Sequence, residues 1–202
     1  MRFVNIHTHR PTGLHTEPSF SGIHPWDAAQ ASAADADGYA ADADFVGEIG
    51  LDYACNTPRD IQESVFRRQL AAAAGAQKPV VLHCVRAFGP AIKILADYRL
   101  RAVIFHGFIG SEQQARQALA RGYYLSFGRR TFDSPKTLYA LKATPLTQLF
   151  LETDDDEIPI EEIYRLAAEA RGETVAELQE AISGNYEQIF SQSNEQQLVR
   201  KD

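Results

Sequence analysis

Five of the six histidines and two separate carboxylates stand where short apolar runs end. His7 and His9 close the run Arg2–Ile6, His24 follows Phe20, His83 ends Pro79–His83, and His106 ends Arg101–His106. Glu48 lies near the end of Phe45–Ile49, in Val46-Gly-Glu-Ile-Gly50, and Asp154 follows Phe150-Leu-Glu-Thr153. Imidazole and carboxylate together suit Zn, Mn or Fe, and carboxylate-rich sites lean to Mg or Mn. His7 and His9 are two residues apart, so in a strand both face one side and can reach one ion. Four histidines with Glu48 and Asp154 are enough for two divalent ions if one carboxylate bridges. Such a centre activates a water and stabilises both the attacking and the leaving oxygen. Asp154 could accept the proton of that water.

Each residue alone has an ordinary explanation. His83 could be a satisfied core histidine, and Glu48 between glycines a loop acid. Asp154 heads an Asp-Asp-Asp-Glu run, and charge runs are usually solvated. Six ligand-type residues at the ends of successive runs are harder to attribute to chance. Cys84 follows His83 and would point the other way in a strand, toward packing. His15 lies in a proline-flanked loop with no visible role.

The elements that must position these residues are short strands alternating with helices. Further strand-like runs are Tyr123–Phe127 and Gln148–Glu152, giving about seven in all, with Phe20–His24 the weakest. Thr57-Pro58 with Asp60 opens a helix, and Ser111-x-x-Gln114 and Thr174-x-x-Glu177 are capping boxes. Ile160, Ile163, Tyr164 and Ala167 recur at i, i+3, i+4 and i+7, one buried helical face. Alternation implies parallel pairing, in a barrel-like α/β layout or an open doubly wound sheet. In either, sites collect at the carboxyl ends of strands. Ala28–Asp44 reads as a cover segment of Ala and Asp. No linker or repeat interrupts the chain, so one domain is expected over residues 1–190, with a polar tail over 191–202 that frays.

The whole has 202 residues and a formal net charge of −7. An acidic chain is a poor electrostatic guide for nucleic acid, so any DNA contact must be local or metal-assisted. No apolar run approaches the roughly 20 residues of a membrane helix. The polar start MRFVNIHTHR is unlike a signal peptide, and two cysteines without Cys-x-x-Cys spacing read as free thiols. With the acidic pI, these point to the cytoplasm.

At the chemically suggestive positions the chain resembles the TatD family of metal-dependent hydrolases, which are deoxyribonuclease-like. The matching pieces are Asn5-Ile-His-Thr-His9, Gly22-Ile-His-Pro25, Val46-Gly-Glu-Ile-Gly-Leu-Asp-Tyr53, Lys78-Pro-Val-Val-Leu-His83, Phe105-His-Gly-Phe108, Tyr123-Tyr-Leu-Ser-Phe-Gly128 and Leu151-Glu-Thr-Asp154, with Asn185, Ile189 and Phe190 later. The resemblance implies a TIM-like (β/α) barrel with its metal site at the strand C-terminal ends. It implies that His7, His9, Glu48 and Asp154 hold one ion, and that Glu48, His83 and His106 hold the second. Glu48 would bridge, Asp154 would double as general base, and His24 would touch substrate phosphate. The two ions would be Zn, Mn or Mg.

The departures carry information. Too little chain lies between His9 and His24 for a helix and a second strand, so a shortened barrel of about seven strands is expected. His83-Cys-Val-Arg86 displaces the family arginine by one position. Acidic Asp155-Asp-Glu-Ile-Pro159 replaces a loop usually rich in Pro and Arg or Asn, which weakens the case for a long polyanion. Arg10, Arg86, Arg129 and Arg130 follow strand ends and could hold phosphates. Trp26, Phe108 and Phe132 could stack on bases. The leading expectation is DNase-like phosphodiester hydrolysis with DNA as partner. The alternative is a hydrolase of a smaller ester, amide or lactone. A non-enzymatic metal-holding scaffold ranks below both, because His and carboxylate sets leave open positions.

Overall fold

A computed structural model describes residues 2–31 and 43–198. Among them six strands make one parallel sheet in sequence order: β1 (Phe20–Ser21), β2 (Phe45–Asp52), β3 (Val80–Val85), β4 (Val103–Phe105), β5 (Tyr124–Phe127) and β6 (Leu149–Leu151). Parallel neighbours require crossovers. From β2 onward these are helical: α1 (Arg59–Ala76), α2 (Phe88–Leu95), α3 (Glu112–Leu119) and α4 (Pro135–Ala143). After β6 come α5 (Ile160–Arg171) and α6 (Val175–Leu198).

Among the described residues the strand count is six rather than about seven. The run Arg2–Ile6 forms no ladder, only isolated bridges from Val4 to Thr16 and from nearby Thr8 to Asp154. The reason is divided pairing. Asn5 N–H donates to Thr16 O (2.9 Å), whereas Ile6 N–H donates to Leu151 O (3.2 Å). The segment thus stands between β6 and the chain leading into β1, bonding to each in turn. Of Ala28–Asp44, Ala28–Gln30 is a single 3-10 turn, and residues 32–42 lie outside those described. The backbone of α6 continues to Leu198, so the polar stretch begins as helix; 199–202 lie outside the described residues.

Parallel strands are buried on both faces, and all eight residues of β2 are buried. Ile160, Ile163, Tyr164 and Ala167 of α5 form the expected inner face, and Gly172 ends the helix at φ 72°. Both capping boxes form. Ser111 Oγ accepts from Gln114 N–H while Gln114 Oε1 accepts from Ser111 N–H. Thr174 and Glu177 repeat the exchange at the start of α6.

Three polar clamps hold the ends of the sheet. Tyr164 O–H donates to Val4 O at 3.0 Å, and Asn185 Nδ2 donates to Leu146 O and Leu149 O at 2.7 and 2.9 Å. Asn5 joins the first segment to the end of β6. Its Nδ2 donates to Thr153 Oγ1 (2.9 Å), and its Oδ1 accepts from Thr153 N–H (3.0 Å). Just beyond this seam stand His7, two residues after Asn5, and Asp154, one residue after Thr153.

Candidate metal centre

Glu48 is presented by an irregularity. The β2–β3 register shifts between Val46 and Ile49, and such bulges re-aim a side chain. The glycines on either side permit it. Gly50 has φ +142°, and a Cβ there would fall 2.0 Å from His83 O. A Cβ on Gly47 would fall 2.9 Å from Val81 Cβ. The backbones of β2 and β3 therefore approach closely where Glu48 turns toward the histidines.

The two carboxylate oxygens of Glu48 face different histidines. Oε2 lies 3.4 Å from His7 Nε2 and 3.5 Å from His9 Nε2. Oε1 lies 2.6 Å from His83 Nδ1, 2.6 Å from His106 Nε2 and 3.4 Å from His24 Nε2. Asp154 completes the first group, its Oδ1 lying 3.7 Å from His7 Nε2 and 3.5 Å from His9 Nε2. All six expected metal-site residues thus converge, and His24 joins them beside the His83 ring, 4.5 Å between centroids. Asp154 has φ 56°, a left-handed conformation that Asp tolerates.

Two buried carboxylates lie behind the histidines, and neither carries a role in the sequence reading. Asp52 Oδ2 is 3.3 Å from His83 Nε2, and Glu152 Oε1 is 3.3 Å from His106 Nδ1 while accepting from Gly107 N–H. An ionised carboxylate only accepts. With an ion on the Glu48 side, these partners would take the ring protons of His83 and His106 at the far nitrogens and leave the near nitrogens to the ion. Glu48 Oε1, 2.6 Å from both near nitrogens, is an acceptor as well. His7 is fully buried, yet neither of its ring nitrogens has a hydrogen-bond partner. Buried polar atoms are nearly always paired. Converging acceptors and an orphaned imidazole are the donor set a cation satisfies, and the residues fit divalent ions. The missed signal was periodicity: Asp52 is i+4 from Glu48 in β2, and Glu152 is two residues before Asp154.

Burial and the carboxylates act on these groups in opposite directions. Burial lowers the His7 pKa. The hydrogen bond to Glu48 raises that of His9. Burial opposes charge on His106, but Glu48 and Glu152 overcome it and raise its pKa well above the usual value. Burial likewise opposes charge on Glu48, and His106 reverses this, holding the carboxyl far below the ordinary range. Burial raises the Asp154 pKa. Cys84 is no member of the ligand groups among the described residues, and burial pushes its thiol up to about 12.

Around this cluster the arginines divide. Arg86, Arg129 and Arg130 line a cavity of about 370 Å³ with His83, His106 and Asp154. Arg86 reaches it from φ 52°, despite its displacement in sequence. Arg129 is engaged with Asp133 at 2.8 Å, whereas Arg10 turns away to Glu157 at 2.5 Å and lines a different cavity. Arg10 is therefore not placed to hold phosphate here. Trp26 is 57% exposed at a second opening with His9, His24 and Asp155. Phe108 is buried against Phe127, 5.8 Å between centroids, and Phe132 packs on the core, so neither offers a stacking face. His15 packs edge-on against Phe3 and faces Glu161.

The family model described as TatD related DNase matches residues 18–191. The chain is 39% identical over 114 residues to an uncharacterized metal-dependent hydrolase, YabD, of Bacillus subtilis (strain 168), covering 54% of this chain and 45% of that one. It is 38% identical over 148 residues to the 3'-5' ssDNA/RNA exonuclease TatD of Cronobacter turicensis, covering 67% and 56%. Aligned regions thus span about half the length of these two relatives. For the TatD exonuclease of Pectobacterium carotovorum subsp. carotovorum the identity is 32% over 201 residues, covering 85% and 77%. The crystal structure of YJJV, a TatD homolog from Escherichia coli K12, superposes with a TM-score of 0.79 at 26% identity, covering 87% and 77%. The α/β fold is thus that of TatD homologs, and the chain belongs to the TatD related DNase family.

Proposed function

We propose that this chain is a metal-dependent hydrolase of phosphodiester bonds, acting on nucleic acid through a dinuclear centre. The observation that carries the reading is the divided carboxylate of Glu48, with one oxygen toward His7 and His9 and the other toward His83 and His106. One group, His7, His9 and Asp154, holds the first ion, and His83 with His106 holds the second. Glu48 is shared. His24 stands on the second group and meets either ion or substrate. Bound divalent ions supply an activated water and a clamp on the attacking and leaving oxygens.

The chain's own residues do the rest. Asp154 takes the proton of the attacking water. Arg86 and Arg130 engage no ion pair among the described residues and flank the cavity, so they are available to orient phosphate. Trp26 offers an exposed indole face on which a base can stack. The printed activity of the TatD relatives, 3'-5' ssDNA/RNA exonuclease, supports a nucleic-acid substrate.

A second reading has its own observation. Asp155 and Asp156 line the two openings beside the centre, where a long polyanion would be repelled. That favours a smaller ester substrate at the same ions. The test is hydrolysis of end-labelled single-stranded DNA with Mg, Mn or Zn, using Asp154→Asn as control. Metal-dependent cleavage abolished by the substitution supports the nuclease. Metal-loaded protein that spares DNA and turns over carboxylic esters or amides establishes the second reading instead.

A further inference from the structure

Trp26 is exposed on one side and tied down on the other. Its Nε1–H donates to Asp52 Oδ2 at 2.7 Å, the same oxygen that faces His83 Nε2 at 3.3 Å. The other oxygen, Oδ1, accepts from Ala54 N–H at 2.8 Å. The backbone of Asp52 is itself clamped by Gln62, whose Oε1 accepts from Asp52 N–H and whose Nε2 donates to Asp52 O. Gln62 is buried and belongs to α1. A rigid acceptor at the end of β2 therefore holds two rings at once, one facing the metal cluster and one facing solvent.

We propose that Asp52 is a positioning residue that couples the ligand His83 to the aromatic rim at Trp26. This rests on the reading of His83 as a ligand. By accepting the Nε2 proton, Asp52 fixes the imidazole tautomer so that the Nδ1 lone pair meets the ion. By accepting the indole N–H with the same atom, it holds the Trp26 plane against His24, whose ring lies edge-on at 4.6 Å. Orientation of a metal-bound imidazole through its second nitrogen is a general requirement of such sites. Here one carboxylate oxygen serves both ligand and rim. Filling of the metal site and the pose of the rim are then linked events, and a nucleobase stacked on Trp26 sits at a fixed place relative to the ions.

The chain contains a single tryptophan, so its emission reports on this position alone. The experiment is titration of metal-free full-length protein with Zn²⁺, following Trp26 emission and, separately, bound zinc. Wild type, Asp52→Asn and Asp52→Ala are compared. Asn has one acceptor oxygen, so it cannot serve both the Ala54 amide and the shared pair; Ala serves neither. In wild type, Zn²⁺ uptake shifts the emission, and long-range ¹⁵N–¹H correlations show His83 protonated at Nε2. Both variants bind Zn²⁺ about 10- to 100-fold more weakly, the cost typical of losing such a partner. Their emission resembles a freely solvated indole and no longer follows the metal. Folded variants with wild-type zinc affinity and emission response overturn the proposal. If neither variant folds, Trp26→Phe decides at an exposed position: weaker zinc binding supports the coupling and unchanged binding overturns it. Wild type that takes up no Zn²⁺ overturns the ligand reading itself, and is told apart by the direct zinc measurement.

Discussion

Asn5→Ala tests whether the seam between the first segment and β6 builds the centre. Asn5 is buried and exchanges two hydrogen bonds with Thr153, across 148 positions of sequence. Removing it leaves the buried Thr153 N–H without its acceptor and Thr153 Oγ1 without its donor. Each such loss costs on the order of 1–3 kcal/mol, so about 3 kcal/mol for the pair is a moderate estimate. For a domain of this size that lowers the thermal midpoint by roughly 6–12 °C. His7 and Asp154 lie two and one residues from the broken contacts, so zinc affinity falls as well. The assay is thermal unfolding by circular dichroism in chelator and in Zn²⁺, with Arg165→Ala as control. Arg165 bridges Glu162 and Glu169 on the exposed face of α5, and exposed pairs contribute little. A variant melting within about 1 °C of wild type, with unchanged zinc affinity, would refute the idea that this seam holds the site together.

Further outcomes follow from the same geometry. Glu48→Gln keeps the shape but removes the shared charge, so it takes up fewer ions by direct metal analysis and loses hydrolysis; full loading would contradict the bridging role. Arg86→Ala and Arg130→Ala each raise KM for single-stranded DNA and reduce the salt dependence by about 0.7 in log–log slope, whereas Arg129→Ala, already engaged with Asp133, does so less. In chelator, the raised pKa of His106 contributes stability that is complete below about 6.5 and lost as pH rises through its higher folded-state value. The depressed pKa of Glu48 adds stability at neutral pH that is lost as pH falls toward its folded-state value. Melting midpoints in chelator therefore decline toward alkaline pH, while in Zn²⁺ they are sustained there, since metal displaces the ring protons; parallel profiles would count against the assignment. Cys84, partly buried and with its thiol pushed up to about 12, reacts slowly with alkylating reagents at pH 8, as mass spectrometry would show.

The convergence of His7, His9, Glu48, His83, His106 and Asp154 was legible because residues toward the carboxyl side of successive parallel elements share one mouth, although Glu48 and His83 lie within β2 and β3 and His7 and His9 follow a segment that forms no ladder. The inner face of α5 and both capping boxes were legible because they are written in local spacing. The first segment was misjudged as a strand because Arg2–Ile6 has strand composition, whereas a ladder also needs one continuous neighbour. Its donors alternate between Thr16 and Leu151, a long-range fact. Asp52 and Glu152 escaped notice for a similar reason. Spacing can put them near the site, but their role depends on which imidazole nitrogen faces them, which spacing does not encode. Arg10 and Phe108 show the converse: residue type and proximity suggested phosphate and base contacts, but Glu157 engages one and the core absorbs the other.

The convergence of His7 and Asp154 also bears on how the chain is tied together. They belong to one ligand group yet are separated by 147 positions (154 minus 7). An ion held between them would be a covalent-like crosslink closing a loop over most of the sequence. By the chain-entropy relation used for disulfides, a loop of that length restricts the unfolded ensemble by about 5 kcal/mol. On this view the centre is also a latch, and chelation would loosen the N-terminal segment from β6 before it disturbed the helices.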